Sequence, residues 1–516
     1  MLRASLLLTV VFGAACASAS KPTPAPQPPP MRDTAPASAS ASTSRQAWLD
    51  MFARGYFPGR SGQVFLVPKQ GWFVTSHDPL YRFMHGSPWA YDTHIPVLFY
   101  GAPFIKTTTQ ARAVQQDVAP TVGALIGAPT LPTYTGRVLG EVLAGAARPR
   151  IVSVIVLDAM RADYFDKYAS VMPTLSRMKK EGAWFSEGRT EVLPTVTGVG
   201  HANIGTGSEP RFHGIVVNNL FNRGTGKPQE AYDQLDTKEL MALTLADNWN
   251  LTTDGKAIII GQGGAIRATA GLVGRGSCLI GGKKVLAASY GGPDGGWETN
   301  PTCYTMPDAL KAFTGRKVWE AAGGSWMGHD IASSSKFRAS SLFQKYEAEA
   351  LMAVVDSTAV GADDIADLIF VNMKGPDYTS HAYGPDSPEM PVTLAELDKQ
   401  LAAYLALLDK KAGPGRHVTV ITADHGQPVE PPAGGRVFLE DIIAQINKRF
   451  DADGKVINYY NDAANNQLHL NTDRLQQLGV SLKDVAAFLE SLGVFAATFT
   501  EDDVRAAQAR LPGPRR

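Results

Sequence analysis

Three apolar runs of this chain end in residues able to hold a metal ion. Ile151-Val-Ser-Val-Ile-Val-Leu157 runs into Asp158, Ala366-Asp-Leu-Ile-Phe-Val371 is followed by Asp377 and His381, and His417-Val-Thr-Val-Ile-Thr-Ala423 runs into Asp424, His425 and Gly426. One acidic residue after a strand is commonplace as a turn or a helix cap. Three together, two of them with histidines, point to a shared cation site. Asp377 and His381 stand four residues apart, so one helical turn or a tight loop can aim both at one ion. Adjacent Asp424 and His425 can diverge toward two ions or bind one. The mixture of carboxylate and imidazole suits zinc better than magnesium or calcium, which prefer oxygen alone, and leaves manganese and iron open. A nucleophile candidate lies in Leu193-Pro-Thr-Val-Thr-Gly-Val-Gly-His-Ala-Asn-Ile-Gly-Thr-Gly207. A hydroxyl at the start of a helix, with backbone N–H groups behind it, can receive a phosphoryl group, and metal coordination would make its alkoxide accessible. Thr195 and Thr197 both meet that description, and either could instead cap the helix.

Positioning such groups requires elements that bring distant strand ends level. Apolar runs at 64–67, 96–100, 151–157, 257–260, 368–371 and 418–421 read as buried strands, and helical patterns such as 172–182 and 391–411 lie between several of them. That alternation predicts a layered α/β domain with a largely parallel sheet. In such sheets function gathers at the carboxyl ends of the strands.

The chain has 516 residues, 44% hydrophobic and 19% charged, which is enough to bury a large core. Forty-nine basic residues balance forty-nine acidic ones, so the footprint of a general nucleic-acid or anionic-membrane binder is missing. An anionic ligand must then be held by local charge. Arg3 followed by Leu6-Leu-Leu-Thr-Val-Val-Phe12 and small residues has the pattern of a secretory signal over 1–16, too short for a permanent membrane span. Gly13-Ala-Ala-Cys16 resembles a bacterial lipobox, with Gly13 where a branched residue is usual, so plain secretion and lipid attachment at Cys16 are both open. The expected location is the periplasm, free or tethered to the outer membrane as a lipoprotein. Residues 17–45 are rich in Pro, Ala and Ser and read as a flexible tether. Beyond the signal only Cys278 and Cys303 remain, and in an exported chain they could close a loop.

Three segments carry a resemblance: Pro194-Thr-Val-Thr-Gly-Val-Gly-His201 with Thr206-Gly-Ser-Glu-Pro-Arg-Phe-His-Gly-Ile-Val-Val-Asn218, Asp377-Tyr-Thr-Ser-His-Ala-Tyr-Gly-Pro385, and Ala423-Asp-His-Gly426. Together they resemble the alkaline phosphatase superfamily, in its nucleotide pyrophosphatase/phosphodiesterase branch and the related type I phosphodiesterase-like phosphatases. The resemblance runs from about Arg60 to Asp502 and implies an α/β/α domain with a mostly parallel sheet and a small inserted α+β subdomain. It implies Thr197 as nucleophile, sixteen residues before His213, and Asn218 as phosphate-binding residue, twenty-one beyond the nucleophile. One metal would take Asp158, Thr197, Asp424 and His425, and the other Asp377, His381 and a distant histidine from a His-Gly-Ser-Pro motif.

That motif is His85-Gly-Ser-Pro-Trp-Ala-Tyr-Asp-Thr-His94, followed by Asp117-Val-Ala-Pro-Thr121 and Gly136-Arg-Val-Leu139. In the family this block closes the domain; here it opens it. The resemblance therefore implies circular permutation. Residues 46–143 would form the displaced part, 144–150 a joint, 151–430 the main domain, and 431–516 a small subdomain completed by about 46–70. Two outcomes are expected: the region of Tyr56 beside that of Asp502 in one small sheet, and His85 beside Asp377 and His381. His94 is read either as a residue supporting the metal site from behind a ligand or as a structural one, and His201 and His213 as packing or loop-fixing residues.

The resemblance implies a hydrolase of small phosphate esters or nucleotides that passes through a phosphothreonine. Related monoesterases carry a Lys-x-Arg pair after the strand that follows the asparagine. The corresponding stretch, Ala257-Ile-Ile-Ile-Gly-Gln-Gly-Gly-Ala-Ile-Arg267, has none; Arg267 or Arg275 could substitute, but neither has the matching position. Loss of the pair weakens the monoester case and leaves a diester, pyrophosphate or phosphonate ester open. A phospho-group transferase and a metal-free binding protein on the same fold also stay open.

Overall fold

The computed structural model describes residues 41–515 apart from 146, 276–277, 279–283 and 460–465. The expected signal, Cys16 and most of the tether lie outside the described residues. Residues 45–516 form one compact unit.

Its centre is a ten-stranded sheet. Strands Ile259–Gly263, Asp367–Met373, Ile151–Leu157 and His417–Thr422 are neighbours in that order and all parallel. Every residue of these four strands is buried. Ile151–Leu157 and His417–Thr422 are rich in β-branched residues, as suits strands covered on both faces. Along Ile151–Leu157 the side chains alternate: Val152, Val154 and Val156 join the core on one face, and Ile151, Ile155 and Leu157 join the core on the other. Helices Val118–Ile126, Thr197–Thr206, Leu245–Thr252 and Ile266–Val273 cover the first face, and Ser341–Ser357 and Glu389–Ala412 the second. The expected α/β/α layering is present.

Register brings the strand ends level. Met373 pairs with Leu157, and Thr422 with Val156, so Asp158, Lys374 and Ala423 leave the sheet at one edge. Two strands depart from the all-parallel pattern of the centre, Gly296–Glu298 at the far edge and one that bears on the site. Val97–Tyr100 pairs antiparallel with His417–Thr422, Val97 opposite Thr422. Its amino end therefore lies at the edge where its neighbours have their carboxyl ends, and the preceding segment that contains His85 arrives there too.

A second sheet of four strands has the order Ile457–Tyr459, Gln467–Leu470, Val64–Pro68, Phe495–Thr500. Val64–Pro68 is antiparallel to both of its neighbours, with Val64 opposite Leu468 on one side and Thr500 on the other. Leu66, Ile442, Leu468, Val485 and Leu489 form the core on one face; Phe52, Tyr56, Phe65, Phe499 and Val504 form it on the other. Tyr56 Oη donates to Glu501 Oε1 at 2.6 Å. Segments near both ends of the described chain thus share one sheet. Cys278 and Cys303 are joined in a disulfide with their Cα atoms 4.5 Å apart. No helix among the described residues is long and apolar enough to cross a membrane.

Candidate active site

The three strand ends, the helix that begins at Thr197 and the His85 segment meet at the carboxyl edge. His85, Asp377 and His381 offer ligand atoms within 4.8 Å of one another, as do Asp158, Asp377 and His425, and Asp158, His201 and Asp424. Asp377 and His381 lie one turn apart on helix Gly375–Tyr383, with His381 Nε2 3.2 Å from Asp377 Oδ1. His85 Nε2 stands 3.7 Å from the same oxygen. His425 Nε2 lies 3.2 Å from Asp424 Oδ2 and 3.8 Å from Asp158 Oδ1. His85 thus lies beside Asp377 and His381.

The imidazoles share one device. His85 Nδ1 donates to the Thr195 carbonyl at 2.7 Å, His381 Nδ1 to that of Phe83 at 2.6 Å, and His425 Nδ1 to that of Gly426 at 2.8 Å. Each ring is thereby held with its Nε2 turned into the cluster, and in the neutral tautomer its lone pair points there, the form a metal ligand requires. Asp377 Oδ1 and Asp424 Oδ2 are buried without a hydrogen bond, and Asp377 Oδ2 has the Lys374 ammonium against it at 2.6 Å. Three buried carboxylates, Asp158, Asp377 and Asp424, stand against one buried ammonium, Lys374. Net negative charge, orphaned carboxylate oxygens and imidazole lone pairs all fit divalent cations.

Backbone contacts make the cluster this dense. Gly200, one turn into the Thr197 helix, packs on Asp424, and a β-carbon there would come within 2.6 Å of Asp424 Cβ. Ala159, directly after Asp158, has φ of 57°. This left-handed conformation costs a residue with a side chain about 1 kcal/mol or more, and it turns the Ala159 N–H onto Asp424 Oδ1 at 3.1 Å.

Electrostatics follow from burial and neighbours. Burial, then the Asp424 carboxylate, raises the pKa of Asp158 to about 6. Burial also opposes the charge on Asp377, but His381 and Lys374 outweigh it and hold that carboxyl well below the usual range. At Asp424 burial is overcome by His425 and His201, which lower its pKa. Burial, followed by His425 and His381, keeps His85 well below the ordinary histidine value. Its ring stacks on that of His425 with centroids 3.6 Å apart.

Thr197 and Thr195 separate clearly. Thr197 is the first residue of helix Thr197–Thr206 and is 1% exposed; its Oγ1 lies 3.5 Å from His425 Nε2. Thr195 instead donates its hydroxyl to the Ser87 carbonyl at 3.3 Å. Asn218 Oδ1 accepts the Gly198 N–H at 2.8 Å, so that N–H, the one following Thr197, is engaged and the Asn218 NH2 is what remains to donate.

Two expectations need correction. His94 does not back a ligand: its Nε2 donates to the Ser186 carbonyl at 2.8 Å, away from the cluster. Arg275 does not serve the site either, because its guanidinium binds the Leu240 carbonyl. Arg267 does line a cleft of about 200 Å³ with Asp377, His381, Arg338 and Tyr378, and its Nε has no hydrogen-bond partner. His201 is more than packing. Its Nδ1 donates to the Thr197 carbonyl at 2.9 Å and stands 3.3 Å from Asp424 Oδ2, while its Nε2 accepts from Asn372. His213 does fix a loop, bonded to Asn203 and to the Ile215 N–H.

Sequence reasoning missed Lys374. Its Nζ lies 2.8 Å from Asp158 Oδ1, 2.6 Å from Asp377 Oδ2 and 3.1 Å from Thr197 Oγ1. Burial disfavours its charge, but the two carboxylates outweigh burial and raise its pKa above the ordinary lysine value. The signal was present as a lysine directly after a buried strand and three residues before a ligand.

Residues 152–512 match the type I phosphodiesterase / nucleotide pyrophosphatase family, a span that begins after the His85 block. Alkaline phosphatase PafA of Elizabethkingia meningoseptica is 26% identical over 406 residues, 66% of this chain and 72% of that protein. Alkaline phosphatase PhoV of Synechococcus elongatus is 24% identical over 398 residues, 64% of this chain and 69% of its own. The crystal structure of PafA superposes with a TM-score of 0.57 at 22% identity, over 67% of this chain and 77% of that one, and shares the fold. The chain belongs to the type I phosphodiesterase/nucleotide pyrophosphatase family of the alkaline phosphatase superfamily, and it is a phosphate ester hydrolase.

Proposed function

We propose that this protein is an exported two-metal phosphoric ester hydrolase that acts through a phosphothreonine at Thr197. The observation that carries the reading is the buried Thr197 hydroxyl, set at a helix start within reach of His425 and Lys374 beside two ligand clusters. Asp377, His381 and His85 would hold one divalent ion, and Asp158, Asp424, His425 and Thr197 the other; the donor set suits zinc. Bound there, such ions lower the pKa of a coordinated hydroxyl and offset charge that builds on oxygen.

The chain's own groups do the rest. The Thr197 proton passes to water, favoured by the ammonium held against Oγ1. A bond forms from Oγ1 to phosphorus as the bond from phosphorus to the leaving oxygen breaks, and the leaving group takes a proton from water. A water then attacks the phosphothreonine, releasing phosphate and restoring the hydroxyl. Asn218, oriented by the Gly198 N–H, offers its NH2 to a nonbridging oxygen. The cleft beside Asp377, lined by Arg267, Arg338 and Tyr378, is where a small phosphate ester or the phosphate end of a nucleotide would enter.

The disulfide between Cys278 and Cys303 supports an oxidising compartment, in line with the signal-like 1–16 segment, and fits plain secretion and lipid attachment at Cys16 alike. Circular permutation is supported by three observations: the matched span begins at 152, the His85 segment supplies the third group beside Asp377 and His381, and Val64–Pro68 shares the four-stranded sheet with Gln467–Leu470 and Phe495–Thr500. The test is hydrolysis of aryl phosphate monoesters and diesters by the zinc-loaded protein, with acid-quenched samples analysed by peptide mass spectrometry. Phosphate on the Thr197 peptide is expected. Turnover with no such adduct under burst conditions would refute the covalent route.

A further inference from the structure

Lys374 is the only buried lysine among the described residues, and the metal ligands do not explain it. Three carboxylates suffice to offset most of the charge of two divalent ions, and a lysine among them would only compete. Its position is nonetheless built. A β-carbon on Gly264 would come within 2.5 Å of Lys374 Cβ and overlap Glu347 Oε1, so the side chain occupies space that only a glycine leaves. The Lys374 N–H donates to Glu347 Oε2 at 3.2 Å, and the Tyr378 ring lies 5.3 Å from Nζ. Tyr378 is fixed in turn by its hydroxyl, which donates to the Gly264 carbonyl at 3.1 Å.

From this arrangement we infer that Lys374 is a catalytic and specificity-determining residue: its ammonium binds a nonbridging oxygen of the phosphoryl group transferred to Thr197 and selects dianionic phosphate monoesters over monoanionic diesters. The inference rests on Thr197 as nucleophile. A group bonded to Oγ1 places its other oxygens within a hydrogen bond of a cation 3.1 Å from that atom. Attraction to one fixed charge at such range scales with the charge of the ligand, so a terminal phosphate with two charges gains more than a diester with one. Arg267 reinforces the sign, since its Nε is unbonded and its Cβ lies 3.8 Å from the β-carbon position of Gly198, beside the nucleophile.

The experiment compares wild type with Lys374→Met and Gly264→Ala, the second of which crowds the lysine without removing it. Measured are kcat/KM for an aryl phosphate monoester and a methyl aryl diester, zinc content, and binding of inorganic phosphate by calorimetry. Both variants should lose about 100-fold on the monoester and less than about 10-fold on the diester, with phosphate binding weakened and zinc retained. Equal losses on both substrates, or unchanged phosphate affinity in a zinc-replete Lys374→Met protein, would overturn the role. Wild type inert on both substrates would instead count against the hydrolase mechanism on which the inference stands.

Discussion

The two ligand clusters lie on one sheet edge yet are assembled in different ways. Asp158, Asp424 and His425 follow two adjacent parallel strands, and sheet register alone brings them level. Their side chains are fully buried. His85, Asp377 and His381 combine one turn of helix with a segment from the other end of an antiparallel strand, and the His381 side chain is 13% exposed. The His85 ring is held by the carbonyl of Thr195, from a further segment, and the His381 ring by that of Phe83, two residues before His85. One cluster is a property of the sheet, the other of loops pinned by single hydrogen bonds. Perturbations should therefore separate them.

The largest effect is expected at Thr197. Replacement by alanine should lower hydrolysis by more than about 10³-fold while zinc content stays at the wild-type level, because the three side chains around Asp424 keep their places. Retained turnover would remove Thr197 from its role. Next comes His85→Ala, which should weaken one ion by about 100-fold or more and leave the other bound. Titration with a chelator followed by metal analysis would show two unequal steps where wild type shows them close together. Loss of both ions together would mean that the clusters are one unit.

A gentler perturbation moves the chain ends. A variant opened at the 144–150 joint, with residues 46–143 placed after Gln508, should fold, bind metal and keep activity within about tenfold of wild type. Gln508 already donates to the carbonyls of Ala53 and Tyr56 at 2.8 Å, so the new connection is short. An insoluble product would oppose the permuted reading of the sequence.

The smallest effect concerns the helix both clusters lean on. Burial pushes the pKa of His213 down from 6.5 to about 3. Its ring is neutral, with Nε2 donating to Asn203 Oδ1 and Nδ1 accepting from the Ile215 N–H. The unfolded chain binds a proton near pH 6.5 that the folded chain refuses, so this contribution to stability is whole above that pH and is lost as pH falls toward 3. Its share of the slope is at most about 1.4 kcal/mol per pH unit. His213→Gln should flatten the dependence of denaturant stability between pH 6.5 and 5 by that amount; an unaltered slope would show a ring free to protonate.

What could be read from the sequence was whatever depends on short range and pattern. Asp158, Asp377 and Asp424 announced themselves because each follows an uninterrupted buried strand, and the three layers followed from the alternation of such strands with helices. Strand direction was less legible. Nothing in Val97–Tyr100 distinguishes antiparallel from parallel, since both faces are apolar either way. His94 was suggested by its motif, but backbone geometry after helix Ala90–Thr93 carries it to Ser186. Lys374 was hidden for a different reason. Its meaning depends on an empty volume at Gly264, 110 residues away in sequence, and the missing side chain of one residue is not a pattern in another.

The four-stranded sheet also bears on how the protein is made. Its central strand, Val64–Pro68, is synthesised long before its partners Gln467–Leu470 and Phe495–Thr500; the Gly62 N–H finds its acceptor on Gln467, 405 residues downstream. Until then an apolar strand waits with both edges unpaired, a template for association with other chains. Maturation is consequently a race between the arrival of those later strands and aggregation, so the yield of active enzyme should track whatever shields the earlier strand.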